Sequence, residues 1–91
     1  MILAIDIGNT NIVLGVIDGD DIKFVARIAT NATKTEDEYA SKIRSVLSIH
    51  DVGTAAIDGA IISSVVPPLN SIMKKAIKFI YGIDPIIVGP G

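Results

Sequence analysis

Apolar residues in the first thirty positions fall into short runs broken by polar turns. Ile2-Leu3-Ala4-Ile5 is unbroken, and Asp6 interrupts it near its end. Such a run reads as a strand covered on both faces, as in the middle of an α/β sheet. Asn11 to Asp18 repeats the pattern with Ile12, Val13, Leu14, Val16 and Ile17, which predicts a second internal strand. Gly15 lies inside it, where glycine marks a bulge or the close approach of another backbone. Asp18-Gly19-Asp20-Asp21 is a hairpin signal. Ile22 to Ala29 then alternates, with Ile22, Phe24, Ala26 and Ile28 on one face and Lys23 and Arg27 on the other. Alternation and lysine suit an exposed edge strand. The three strands predict an antiparallel meander.

After a polar connection, Thr30 to Lys34, the period changes. Thr35-Glu36-Asp37-Glu38 is a capping box, with threonine at the N-cap, glutamate at N3 and three acids complementing the helix dipole. Tyr39, Ile43, Val46, Leu47 and His50 recur at helical spacing, and Gly53 is the expected stop. His50 reads as a surface or capping residue, since the chain has a single histidine. Ala60 to Ser64 predicts another central strand. Pro67-Pro68 suits a helix start, and Leu69, Ile72, Met73, Ala76, Ile77 and Ile80 form an apolar stripe. Gly82 ends that helix before a last strand, Ile86 to Val88. The order β-β-β-α-β-α-β, with right-handed crossovers, predicts the sheet order 3-2-1-4-5.

Composition adds a tension. Of 91 residues, 49% are apolar, and mean hydropathy is +0.55. That is high for a chain able to bury only about 60% of its unfolded surface. Either the sheet is unusually well covered or part of its cover is missing. A chain ending on a strand and Gly89-Pro90-Gly91 favours the second reading, the first part of a longer protein. Net charge of −2 and a pI near 5.1 give no basic footprint for nucleic acid. Lys74, Lys75 and Lys78 fall on one solvated helix face. There is no cysteine, no signal-like leader and no apolar run near the ~18 residues of a membrane span.

The candidate chemistry lies at Asp6-Ile7-Gly8-Asn9-Thr10-Asn11. A carboxylate at the end of a buried strand needs a partner. Gly8 can adopt positive φ and Asn9 tolerates it, so the amides of Gly8, Asn9, Thr10 and Asn11 would converge as an anion nest. An acid beside a phosphate cradle calls for a cation, usually Mg²⁺. The plainer alternative is a hairpin turn in which Asp6 caps its own backbone. The predicted sheet order brings Ser63-Ser64 beside Asp6, at the edge where ligands bind in α/β folds.

Asp6-Ile7-Gly8-Asn9-Thr10-Asn11, then Ser63-Ser64-Val65-Val66-Pro67, then Gly89-Pro90-Gly91, together resemble type III pantothenate kinases. Thr35-x-Asp37-Glu38-Tyr39 also fits that family's first helix. The resemblance covers the whole chain. It implies an RNase H-like, actin-like ATPase N-terminal lobe over residues 1–91, with the second lobe absent. It further implies transfer of phosphate from ATP to pantothenate, the first step of coenzyme A synthesis, in a cytoplasmic homodimer. Nucleotide binding would fall on Asp6, Ile7, Gly8, Asn9, Thr10, Asn11, Ile12 and Val13, with Asp6 also orienting Mg²⁺. Ser63 and Ser64 would support the site from the fourth strand. The family's Lys-Thr-Gly and Gly-Ala-Asp-Arg segments, catalytic base, monovalent-cation (K⁺ or NH₄⁺) site and main dimer interface fall beyond Gly91. No catalytic residue is therefore assigned, and neither nucleic acid nor membrane is expected as a partner.

Two other readings compete. An RNase H-like nuclease shares the strand order, but its two-metal chemistry needs several acids at the end of the first strand. Asp58 precedes the fourth strand and belongs to the opposite edge, and Glu36 to Glu38 start a helix. The resemblance also extends to accessory factors for transcriptional activation. The acidic pI argues against direct DNA contact by such a factor.

Overall fold

A computed structural model describes residues 1–89; Pro90 and Gly91, which complete the third motif, lie outside the described residues. Five strands, β1 (Ile2–Ile7), β2 (Asn11–Asp18), β3 (Asp21–Ala29), β4 (Gly59–Ser64) and β5 (Ile86–Val88), form one sheet. Its order is β3-β2-β1-β4-β5, as the alternation and crossover rules predict. β1 pairs antiparallel with β2 and parallel with β4, and β2 pairs antiparallel with β3. Two helices, α1 (Glu36–Ile49) and α2 (Pro68–Tyr81), cover the sheet.

Both helices lie on one face, which corrects the expectation that the central strands are buried on both. The parallel connections β3–α1–β4 and β4–α2–β5 step across the sheet in the same direction. Right-handed crossovers with the same direction must place their helices on the same side. Leu3, Ile5, Ile7, Ile12, Leu14, Val16 and Ile62 point to that side. They pack against Tyr39, Ile43 and Leu47 of α1 and Leu69, Met73 and Ile77 of α2. The alternate positions, Ala4, Asp6, Val13, Gly15, Ile17, Ile61 and Ser63, line an open groove of about 400 Å³ on the other face.

Local signals hold with three adjustments. Thr35 caps α1 through the full capping box, and Gly82 ends α2 at φ 69°. The stop of α1 comes earlier than Gly53: His50 is the C-cap and Asp51 takes the left-handed turn at φ 61°. His50 stacks on Phe24 of β3, with ring centroids 4.0 Å apart and planes at 9°. A bulge shifts the β2–β3 register between Val16 and Ile17, so Phe24 pairs with Val16 while Ile22 pairs with Ile17. Lys23 is the extra residue, and Ile22 moves to the open face, away from Phe24, Ala26 and Ile28. Gly15 sits beside that irregularity, and a Cβ there would meet nothing within 4 Å, so no backbone approaches it.

Candidate functional site

The register of β1 places the candidate acid. Asp6 pairs with Val13 on one side and Ser63 on the other. Neighbouring strands lie about 4.8 Å apart, so all three side chains share the open face at the C-terminal end of β1 and β4. Asp6 is exposed rather than buried, because no helix covers that face. Its charge therefore stays hydrated without a compensating partner. Ser64, one residue on, points the other way. It is 2% exposed, and its Oγ accepts the Val66 N–H at 3.0 Å, shaping the turn from β4 into α2. Asp58 lies at the far edge, where its N–H donates to the Met1 carbonyl at 3.0 Å.

The loop after β1 is a two-residue turn, Asn9-Thr10, flanked by Gly8 and Asn11. The Gly8 N–H donates to the Asn11 carbonyl at 2.9 Å. That amide is spent inside the hairpin, so the expected four-amide nest does not form. Positive φ is confined, among the described residues, to Gly19, Asp51 and Gly82. Glycine is needed at position 8 for space instead: a Cβ would stand 3.0 Å from the Asn11 carbonyl oxygen. The Asn9 and Thr10 N–H groups take no acceptor among the described residues, and both residues are exposed. These two amides, with the Asn9, Thr10 and Asn11 side chains, are the donors the loop offers an anion. Ile7 and Ile12 are fully buried on the helix face and anchor the loop without reaching a ligand by side chain. Val13 is half-buried beside Asp6.

The start of α2 does not add a second anion site. Pro67 and Pro68 have no N–H, while the Leu69 and Asn70 amides donate to Val66 and Pro67 carbonyls at 2.9 and 3.1 Å. A groove of about 740 Å³ on the helix side, lined by Ser41, Arg44, Ser45 and Phe79, is larger than the open-face groove. It lies on the opposite side of the sheet from Asp6 and takes no part here.

A divalent cation can be tested against these donors. No cluster of three or more His, Cys, Asp or Glu is brought together among the described residues. That does not suit a protein-only metal cage or a two-metal nuclease centre. It does suit Mg²⁺, which keeps several waters and binds one or two carboxylates plus substrate phosphates. Asp6 supplies the one carboxylate, next to the loop that would hold the phosphates.

Two contacts escaped the sequence reading. Thr30, taken as polar connection, donates from Oγ1 to the Gly8 carbonyl at 2.7 Å and from its N–H to the Thr10 carbonyl at 2.9 Å. Tyr39, taken as core, brackets Asn31: its hydroxyl accepts the Asn31 N–H at 2.9 Å and donates to the Asn31 carbonyl at 2.7 Å. A signal for the second was present, since a buried tyrosine hydroxyl normally finds a partner.

Comparison with known proteins agrees with the motifs. A family model described as type III pantothenate kinase matches residues 2–91. Curated relatives named type III pantothenate kinase include one from Geobacillus sp. (strain WCH70), 50% identical over 91 residues. Another, from Exiguobacterium sp. (strain ATCC BAA-1283 / AT1b), is 45% identical over the same span. The alignments take in 100% of this chain but only 35% and 36% of those relatives. Among solved structures, a ROK hexokinase from Thermus thermophilus superposes with TM-score 0.71 at 12% identity, over 97% of this chain and 34% of its own. A Ppx/GppA phosphatase from Aquifex aeolicus gives 0.53 at 14%, over 98% and 35%. T. thermophilus RuvC bound to a Holliday junction gives 0.57 at 16%, over 98% and 64%. At such identities these establish the fold alone, which is the actin-like ATPase and RNase H-like fold.

Proposed function

The chain belongs to the type III pantothenate kinase family, and from that premise we propose that residues 1–91 supply the phosphate-holding part of an enzyme that phosphorylates pantothenate with ATP. The observation that carries this is the convergence of Asp6, Ser63 and the Asn9-Thr10 turn at one end of the sheet's open face. Phosphoryl transfer asks a protein mainly for positioning and charge neutralisation. The free amides of Asn9 and Thr10 and the Thr10 hydroxyl would hold phosphate oxygens. Asp6 would hold Mg²⁺, which when bound neutralises phosphate charge. Ser63 stands beside Asp6, where it can hydrogen-bond a water of that ion. A nest without the Gly8 amide leaves more of the phosphate charge to the cation.

The rest of the reading follows the family. The acceptor hydroxyl must lose a proton, and by the resemblance its base is expected beyond Gly91. That group, the site for K⁺ or NH₄⁺ and the homodimer contact would belong to a second lobe, a reading that the greater length of the relatives supports. By the same resemblance we place its action in the cytoplasm. Separately, no helix among the described residues is long and apolar enough to cross a membrane.

The test is direct. The product of the whole reading frame that contains residues 1–91 is assayed for transfer of phosphate from ATP to pantothenate, with Mg²⁺ and K⁺. Transfer that disappears on omitting Mg²⁺ and drops at least tenfold in Asp6→Asn supports the reading. No transfer, or transfer indifferent to Asp6, refutes it.

A further inference from the structure

We infer that Thr30 is a positioning residue for the phosphate loop: its hydroxyl sets the direction in which the Asn9 amide faces the nucleotide. The inference rests on the phosphate-holding role proposed above.

The Asn9-Thr10 turn is only half closed by its own hydrogen bonds. Gly8 N–H reaches the Asn11 carbonyl, but the Gly8 carbonyl accepts its hydrogen bond from the Thr30 hydroxyl, Oγ1 to O 2.7 Å. Thr30 also donates its N–H to the Thr10 carbonyl at 2.9 Å. One residue therefore grips the turn at both ends. A peptide unit is planar and trans, so its C=O and the following N–H point in opposite directions. Drawing the Gly8 carbonyl toward Thr30 turns the Asn9 N–H away from Thr30, and that N–H has no acceptor among the described residues. Without the hydroxyl, the Gly8–Asn9 peptide is free to rotate, and the donor loses its fixed direction.

Thr30 is in turn held in place. It is half-buried, and the next residue, Asn31, has both backbone groups bonded to the Tyr39 hydroxyl. Tyr39 is fully buried in the first turns of α1, whose start is fixed by the Thr35–Glu38 capping box. A hydrogen-bonded path thus runs from a capped, packed helix to the loop. It gives an exposed turn the rigidity that positioning of phosphate requires.

Thr30→Val keeps the side-chain shape and the N–H bond to Thr10 but deletes the hydroxyl; Thr30→Ser keeps the hydroxyl. In the product of the whole reading frame, Mg·ADP binding is measured by calorimetry and steady-state kinetics by varying ATP and pantothenate separately. Thr30→Val is expected to weaken Mg·ADP binding and raise KM for ATP by about tenfold, the size of one lost charge-assisted hydrogen bond. KM for pantothenate is expected to stay unchanged and Thr30→Ser to remain within about twofold of wild type. A purely structural role would not be rescued by serine while sparing the pantothenate KM. If the valine variant does not fold by circular dichroism, Thr30→Ala, which adds no apolar branch, replaces it. Unchanged Mg·ADP binding in the hydroxyl-less variant, or equal losses with valine and serine, overturns the inference while the phosphate reading stands. Failure of the wild-type protein to bind Mg·ADP overturns the phosphate reading itself, and this inference with it.

Discussion

Ser63 and Ser64 are adjacent and chemically identical, yet the structure assigns them opposite fates. Ser64 is 2% exposed and its Oγ accepts the Val66 N–H at 3.0 Å, while Ser63 is exposed and faces Asp6 across the β1–β4 ladder. Ser64→Ala removes the acceptor and leaves a half-buried amide unpaired at the turn into α2. Losing a bond of that kind costs about 1–2 kcal/mol. For a domain of this size, that lowers the melting midpoint by roughly 5–12 °C. Ser63→Ala removes an exposed hydroxyl with no protein partner among the described residues and is expected to shift stability by no more than about 0.5 kcal/mol. Urea unfolding followed by circular dichroism, compared as the shift in midpoint at equal slope, measures both. The informative result is the reverse one. If Ser63→Ala is costly and Ser64→Ala neutral, β4 is displaced by one residue against β1. A one-residue slip turns every side chain to the other face, and the alignment of Asp6 with Ser63 would fail with it.

Three further outcomes follow from the same geometry. Asp6→Asn, at an exposed position, is expected to leave stability within about 0.5 kcal/mol of wild type while abolishing the Mg²⁺-dependent part of nucleotide binding. Unfolding with nucleotide affinity intact would make Asp6 a turn residue. Gly8→Ala places a Cβ 3.0 Å from the Asn11 carbonyl oxygen, so the turn must open slightly. A loss of about 1 kcal/mol by thermal melting is expected, and no loss would mean the turn is not that tight. Partial burial pushes the Tyr81 phenol up to about 12 from its ordinary 10.0. The folded state therefore retains a proton that the unfolded state gives up. Stability should hold below pH 10 and fall as pH rises from 10 through 12, a slope that Tyr81→Phe should remove.

Much of this architecture is legible in residue order because the signals are local. The capping box at Thr35, the turn at Asp18-Gly19, the stripe from Leu69 to Ile77 and the stop at Gly82 each depend on a few neighbours. The sheet order follows from those elements and the handedness of crossovers. What escapes are properties set by distant pairings. Ala4, Val13 and Ile61 are as apolar as any residue under two helices, and nothing in their own segments says that one face is open. The bulge that moves Ile22 across the sheet exists only in the pairing of β2 with β3. Thr30 looks like linker until that pairing sets it beside Thr10 and within reach of Gly8.

The same dependence explains why the setting expected for the site residues differs from the one they occupy. Asp6-Ile7-Gly8-Asn9-Thr10 suggested a buried carboxylate beside a nest of four amides, with a cation between them. The structure instead exposes Asp6 and uses one of those amides inside the hairpin. An exposed acid keeps its charge with little desolvation cost, so it is available to a cation without a stored penalty. A loop that has spent its Gly8 amide has a weaker field of its own, and the direction of each remaining amide matters more. Rigidity must then come from outside the loop, and the donors that supply it belong to Thr30, held in turn through Asn31 and Tyr39. The Asp6–Asn11 string at the end of β1 is thus half of a device. The other half lies where β3 leaves the sheet, and only the β2–β3 register joins the two.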